Sequence, residues 1–163
     1  MKNLLKYHRF IVLGLIFLAV IIVGSIFSVM NQGTYPKLPP RVTGSYLILK
    51  FGFAVLFAPL VETWICQHWL IRLVRRTISG GSEQRKWICA VVVSAVFFGL
   101  GHTYSVLYVL VTFIIGLFLG GTYWLFSIRK DLNPVLAVFL VHSLNNVSSF
   151  LLNHVRLWDG SSF

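Results

Sequence analysis

The chain has 163 residues, 57% of them hydrophobic and only 11% charged, with a mean hydropathy of +0.83. Soluble domains carry roughly 25% charged residues, so the composition excludes an ordinary soluble globule and points to one integral membrane domain over residues 1–163, with no room for a soluble module beside the apolar runs. The formal net charge of +10 does not indicate a nucleic-acid partner, because the basic residues sit between apolar runs, as they do in loops held on the cytoplasmic side.

Lys2, Lys6 and Arg9 precede the first apolar run, Phe10–Met30. That run exceeds the roughly 7–15 residues of a signal-peptide core and no A-x-A site follows, so it reads as a helix that stays attached. A polar, proline-rich loop, NQGTYPKLPPR, leads up to Arg41, so residues 1–45 form an N-terminal helix and loop. The second run, Tyr46–Ile71, carries Lys50 near one end, from where its ammonium can snorkel outward. Arg72, Arg75, Arg76, Arg85 and Lys86 fill the next loop, and a short third run covers Trp87–His102. The fourth covers Ser105–Ile128 and is followed by Arg129 and Lys130; the fifth opens with Asn133-Pro134 as a helix start and extends to about Leu152.

Runs this long and without alternation are not barrel strands, which need about 9–11 residues. The expected fold is all-α, a polytopic bundle of about five transmembrane helices whose core spans residues 46–152. Ten basic residues fall in the N-terminus, the 72–86 loop and the 129–130 turn, against three (Lys37, Arg41 and Arg156) in the other loops and tail. This bias predicts a multi-pass protein of the cell membrane with a cytoplasmic N-terminus. Cys66 and Cys89 lie in apolar runs without any ligand spacing and read as small buried apolar residues.

The polar residues within these runs carry the functional signal. Glu62, one of only four acidic residues, stands about ten residues from Arg72, roughly 15 Å along a helix. A charge at such depth costs about 2.5–3.5 kcal/mol on insertion scales and faces a bundle interior or a watered cavity. His102 ends the string AVFFGLGH, with Phe98 one turn earlier on the same face. His142 and Asn146 lie four apart in VFLVHSLNN, hence on one face, at a depth similar to that of Glu62. Asn145 is expected to point elsewhere. One carboxylate, two imidazoles and a carboxamide from three helices are the parts for attack of water on an amide: a base, its partner, and donors to an oxyanion.

The strings ETWICQ (Glu62 to Gln67), FGLGH (Phe98 to His102) and HSLNN (His142 to Asn146) resemble, in order and spacing, the EExxxR, FxxxH and HxxxN pattern of the CPBP family, the CAAX proteases and bacteriocin-processing enzymes also called Abi. The resemblance covers roughly Tyr46 to Leu152 and leaves the first helix outside. It implies an intramembrane endopeptidase of the glutamate type, acting on a peptide or protein substrate in or at the membrane. Glu62 with His102 would activate water; His142 and Asn146 would stabilise the oxyanion. Two positions depart from the pattern: Thr63 replaces the second Glu and Gln67 replaces the Arg. As neutral residues four apart they are expected to exchange the ion pair for a hydrogen bond. Glu plus two His is also a zinc ligand set, but no HExxH is present, and the resemblance implies catalysis without a metal or other cofactor. The competing readings are a catalytically silent membrane partner or bacteriocin self-immunity protein of the same fold and, more remotely, a transporter, for which no broken-helix repeat is seen.

Overall fold

A computed structural model describes the backbone of residues 2–30 and 44–155 and the side chains of residues 8–25 and 45–151. The proline-rich loop at 31–41 and Arg156 lie outside the described residues. Within them the protein is helical, with five helices: α1 (Lys2–Met30), α2 (residues 44–77), α3 (Glu83–Leu100), α4 (Val106–Arg129) and α5 (Pro134–Val155). Four of these contain stretches long and apolar enough to cross a membrane: His8–Ser25, Ser45–Thr77, Val106–Arg129 and Pro134–Leu151. The exception, α3, begins Glu-Gln-Arg-Lys and is 18 residues long.

Short turns with ordinary helix signals force neighbouring helices antiparallel. Ser82 Oγ accepts from the backbone N–H of Arg85 (3.2 Å) at the start of α3, and Ser105 Oγ accepts from that of Tyr108 (3.1 Å) at the start of α4. The expected start of α5 is present: Asn133 Oδ1 accepts from the N–H groups of Val135 (2.9 Å) and Leu136 (3.3 Å), with Pro134 in the first turn. Gly80 and Gly81 supply the positive φ angles, 77° and 79°, that turn the chain from α2 into α3.

Helix α2 is not the plain α-helix its hydropathy suggests. Residues Phe53–Phe57 and Thr63–Leu70 are wound with wider, i→i+5 turns. The buried residues of this helix recur every four positions: Val55, Pro59, Thr63, Gln67 and Ile71. In a uniform α-helix of 3.6 residues per turn such a row drifts by about 40° at each step, and five members would spiral off the bundle. The wider turns take up that drift. The winding also turns backbone carbonyls toward outside donors, since Asn146 Nδ2 donates to Ala54 O (2.8 Å) and Ser94 Oγ to Cys66 O (3.0 Å).

Helices α3 and α4 form the tightest pair. A Cβ at Gly116 would stand 3.0 Å from Ala95 Cα, and one at Gly99 would stand 3.0 Å from Val109 O. Small residues let backbones approach where no hydrophobic effect drives helices together in lipid. Helix α1 packs on α4 and α5 through Leu13, Ile16, Val20 and Val23, one face at helical spacing.

The basic segments gather at one end of the bundle. Arg9 Nη1 donates to Asp131 O (2.9 Å), which ties α1 to the turn after α4. Trp87, at the start of α3, stacks on Trp124 of α4 with ring centroids 5.8 Å apart. Arg75 covers the Trp87 ring at 3.7 Å and pairs with Glu83 (2.8 Å), which also takes Lys86 (3.0 Å). Arg129 pairs with Asp131 (2.9 Å), and its hydrogen bonds hold that carboxyl below the usual carboxylate range.

Candidate active site

At the end of the bundle away from these basic turns, all five helices wall a cavity of about 280 Å³. Glu62, His102, His142 and Asn146 all line it. Glu62 comes from the α-helical stretch Ala58–Glu62, immediately before the second widened segment of α2. His102 lies just past the end of α3, where its backbone N–H reaches Gly99 O (2.9 Å). His142 and Asn146 share a face of α5, as their spacing requires.

His102 Nδ1 is 2.7 Å from Phe98 O. A carbonyl can only accept, so Nδ1 carries the proton, and in the neutral ring Nε2 is the basic nitrogen. Phe98 sits between the two imidazoles, its ring centroid 4.7 Å from that of His102 and 5.4 Å from that of His142. This apolar spacer, 3% exposed, fixes both rings by packing, which accounts for an aromatic residue four before His102.

His142 is nearly fully buried, and its Nε2 stands 3.4 Å from Glu62 Oε2, within ion-pair range but long for a hydrogen bond. Among the described residues, Glu62 Oε2 and His142 Nδ1 have no hydrogen-bond partner. Two such buried groups facing one cavity are available to something that enters it. Asn146 is oriented from both ends. Its Nδ2 donates to Ala54 O, and its Oδ1 accepts from Asn145 Nδ2 at 3.4 Å. A carboxamide has two N–H donors, so the second N–H of Asn146 remains for another acceptor.

Asn145 therefore does not point elsewhere. It lines the cavity, because positions i+3 and i+4 from His142 flank the same helical face. Tyr108 and Thr112 of α4, and Ile21, Gly24 and Ser25 of α1, also contribute to the wall. The i+3 spacing was the available signal for Asn145. No local pattern marks the α1 residues.

Thr63 and Gln67 are completely buried. The expected hydrogen bond between them is not formed: among the described residues, Thr63 Oγ1 and both polar atoms of the Gln67 carboxamide have no partner. The expectation presumed an α-helical turn, whereas residues 63–70 are wound more widely, which changes the offset of positions four apart. Among the described residues, no group of three or more His, Cys, Asp or Glu side chains is arranged to hold a metal ion.

Residues 44–148 match the family of type II CAAX prenyl endopeptidases described as Rce1-like. The chain belongs to this family. The match covers α2, α3, α4 and most of α5, and it leaves α1 outside. The motif strings of this Rce1-like chain all fall within it, and membership supports a multi-pass membrane protein with the fold of a CAAX-type intramembrane protease. No curated protein and no solved structure matches the chain.

Proposed function

We propose that this Rce1-like chain is an intramembrane endopeptidase that hydrolyses a peptide bond in a membrane-associated peptide or protein. The observation that carries the reading is the convergence of Glu62, His102, His142 and Asn146, from three segments far apart in sequence, on one cavity. In this reading Glu62, with the basic Nε2 of His102, takes a proton from water as the oxygen attacks the scissile carbonyl carbon. The carbonyl oxygen becomes an oxyanion that accepts from the free N–H of Asn146 and from the His142 ring. When the intermediate collapses, the C–N bond breaks and the proton passes to the leaving amine. No metal or cofactor takes part.

The protein lies in the cell membrane with its N-terminus cytoplasmic, a reading supported by the basic segments gathered at one end of the bundle. The cavity then occupies the outer half.

A second reading, a catalytically silent membrane partner or immunity protein, is favoured by Thr63 and Gln67, whose buried polar atoms take the place of the family's Glu and Arg. Cleavage of membrane peptides by wild type and Glu62→Ala, in cells lacking the protein and after purification with and without EDTA, separates the two. Cleavage lost in Glu62→Ala and indifferent to EDTA supports the peptidase. Function in cells that persists in Glu62→Ala supports the silent partner, and EDTA inhibition reversed by zinc supports a metal site.

A further inference from the structure

Helix α1 lies outside the family match, yet it supplies part of the cavity wall through Ile21, Gly24 and Ser25. It has two adjacent faces with different tasks. Leu13, Ile16, Val20 and Val23 pack against the core, and Arg9 fixes one end to Asp131, so the wall face is held in place. Gly24 is the informative residue. Among the described residues, a Cβ built there meets only Asn145 Oδ1, at 3.7 Å, an ordinary contact. Among the described residues, no helix packing excludes a side chain at this position, in contrast to Gly99 and Gly116, and the helical backbone does not require glycine. Glycine within a helix is less stable than alanine. What its absent side chain provides is space beside Asn145 and Asn146.

We infer that Gly24 and Asn145 bound the subsite that receives a substrate side chain next to the scissile bond, and that α1 is thereby the specificity wall of the site. The inference rests on the peptidase reading and adds to it the wall that selects the substrate side chain. Ser25, Thr112 and Asn145 offer hydroxyl and carboxamide partners around the subsite. A peptide cut within a membrane must unwind locally, and its freed N–H and C=O groups then need such partners. At about 280 Å³ the cavity is close to the lower limit of small-ligand sites, roughly 300 Å³. It therefore takes a short extended stretch of peptide and leaves the rest of the substrate in lipid or at the surface.

The experiment uses the full chain in lipid nanodiscs and a positional set of membrane-inserting peptides of one sequence, with Ala, Leu or Phe placed at each position in turn. For wild type, Gly24→Ala and Gly24→Leu, the readout is the ratio of kcat/KM for the Ala and Phe peptides at each position. Filling a pocket by one or a few carbons changes discrimination by on the order of 10- to 200-fold. Gly24→Leu should therefore raise the Ala-to-Phe ratio by at least about tenfold at one position, with Gly24→Ala intermediate. An unchanged ratio at every position, even with an overall loss of rate, overturns the inference. Photo-crosslinking from a benzophenone residue at position 25, in a Glu62→Ala background, provides a test independent of turnover. Crosslinks to the Ala peptide that persist while those to the Phe peptide vanish in Gly24→Leu support the subsite, and an absence of crosslinks to any peptide overturns it. If wild type cleaves nothing while the crosslinks remain size-dependent, the peptidase reading fails and the α1 wall stands as a binding surface.

Discussion

Two histidine clusters in the same bundle have opposite hydrogen-bonding states. His68 has both ring nitrogens engaged, one with Tyr123 Oη (3.0 Å) and the other with Arg72 Nη1 (3.2 Å), and its ring stacks on Trp64 with centroids 4.7 Å apart. The guanidinium can only donate, so Nε2 of His68 is the acceptor and Nδ1 carries the proton toward Tyr123. Near the cavity, by contrast, His142 Nδ1 and Glu62 Oε2 have no hydrogen-bond partner among the described residues. A satisfied network rigidifies its surroundings and has little left to offer a ligand. Under-satisfied groups in a cavity carry a folding cost that persists where incoming chemistry uses them. Residue type alone does not separate the two clusters; partner inventory does.

The largest expected effect breaks or secures this contrast directly. Glu62→Gln keeps the shape of the side chain and removes the proposed base, so peptide cleavage should fall on the order of 10²–10⁴-fold with membrane accumulation retained. An equal fall in His68→Phe, with the fold intact, would erase the distinction between the clusters.

Asn146→Ala removes the proposed oxyanion donor and also leaves Ala54 O without its side-chain partner. The expected loss of rate is on the order of 10²–10³-fold. Asn145→Ala should be milder, since Asn145 acts on Asn146 from behind. Single-turnover cleavage by the two variants orders them, and a reversed order would show that Asn145, not Asn146, is the donor to the oxyanion.

His68→Phe should instead lower stability, by about 1–3 kcal/mol, because it strands the Tyr123 hydroxyl and uncouples Arg72. Thermal denaturation in detergent measures this, with cleavage expected to stay within a few fold of wild type. A stable but inactive variant would make this half of the bundle part of the site.

The smallest effect concerns Thr63 and Gln67. Thr63→Glu and Gln67→Arg each bury an unpaired charge, while the double variant restores the family's pair. A double-mutant cycle on membrane accumulation should show coupling beyond ~0.5 kcal/mol. Additivity would mean that the two positions act independently in the widened helix.

Much of this architecture was legible in the sequence for definite reasons. Hydropathy located the helices because backbone groups in lipid must bond within their own segment. Asn133-Pro134 marked the start of α5 because its capping is a local event. Glu62, His102, His142 and Asn146 stood out because polar residues are expensive in apolar runs. Charge bias grouped Arg9, the 72–86 segment and Arg129 before contacts such as Arg9 to Asp131 placed them at one end. Other features depend on neighbours. The wide turns of α2 follow from the need to keep Val55, Pro59, Thr63, Gln67 and Ile71 facing the bundle, and hydropathy does not register winding. The i,i+4 rule misplaced the Thr63–Gln67 hydrogen bond for that reason. Asn146 takes its orientation from a carbonyl 92 residues away, and Gly24 gains its meaning from Asn145 on another helix. The sequence by itself thus determined which residues are costly to bury in lipid, since that cost belongs to each side chain and its own helix. Only the tertiary structure decided which of them meet, because hydrogen bonds, cavities and packing limits are properties of pairs of helices.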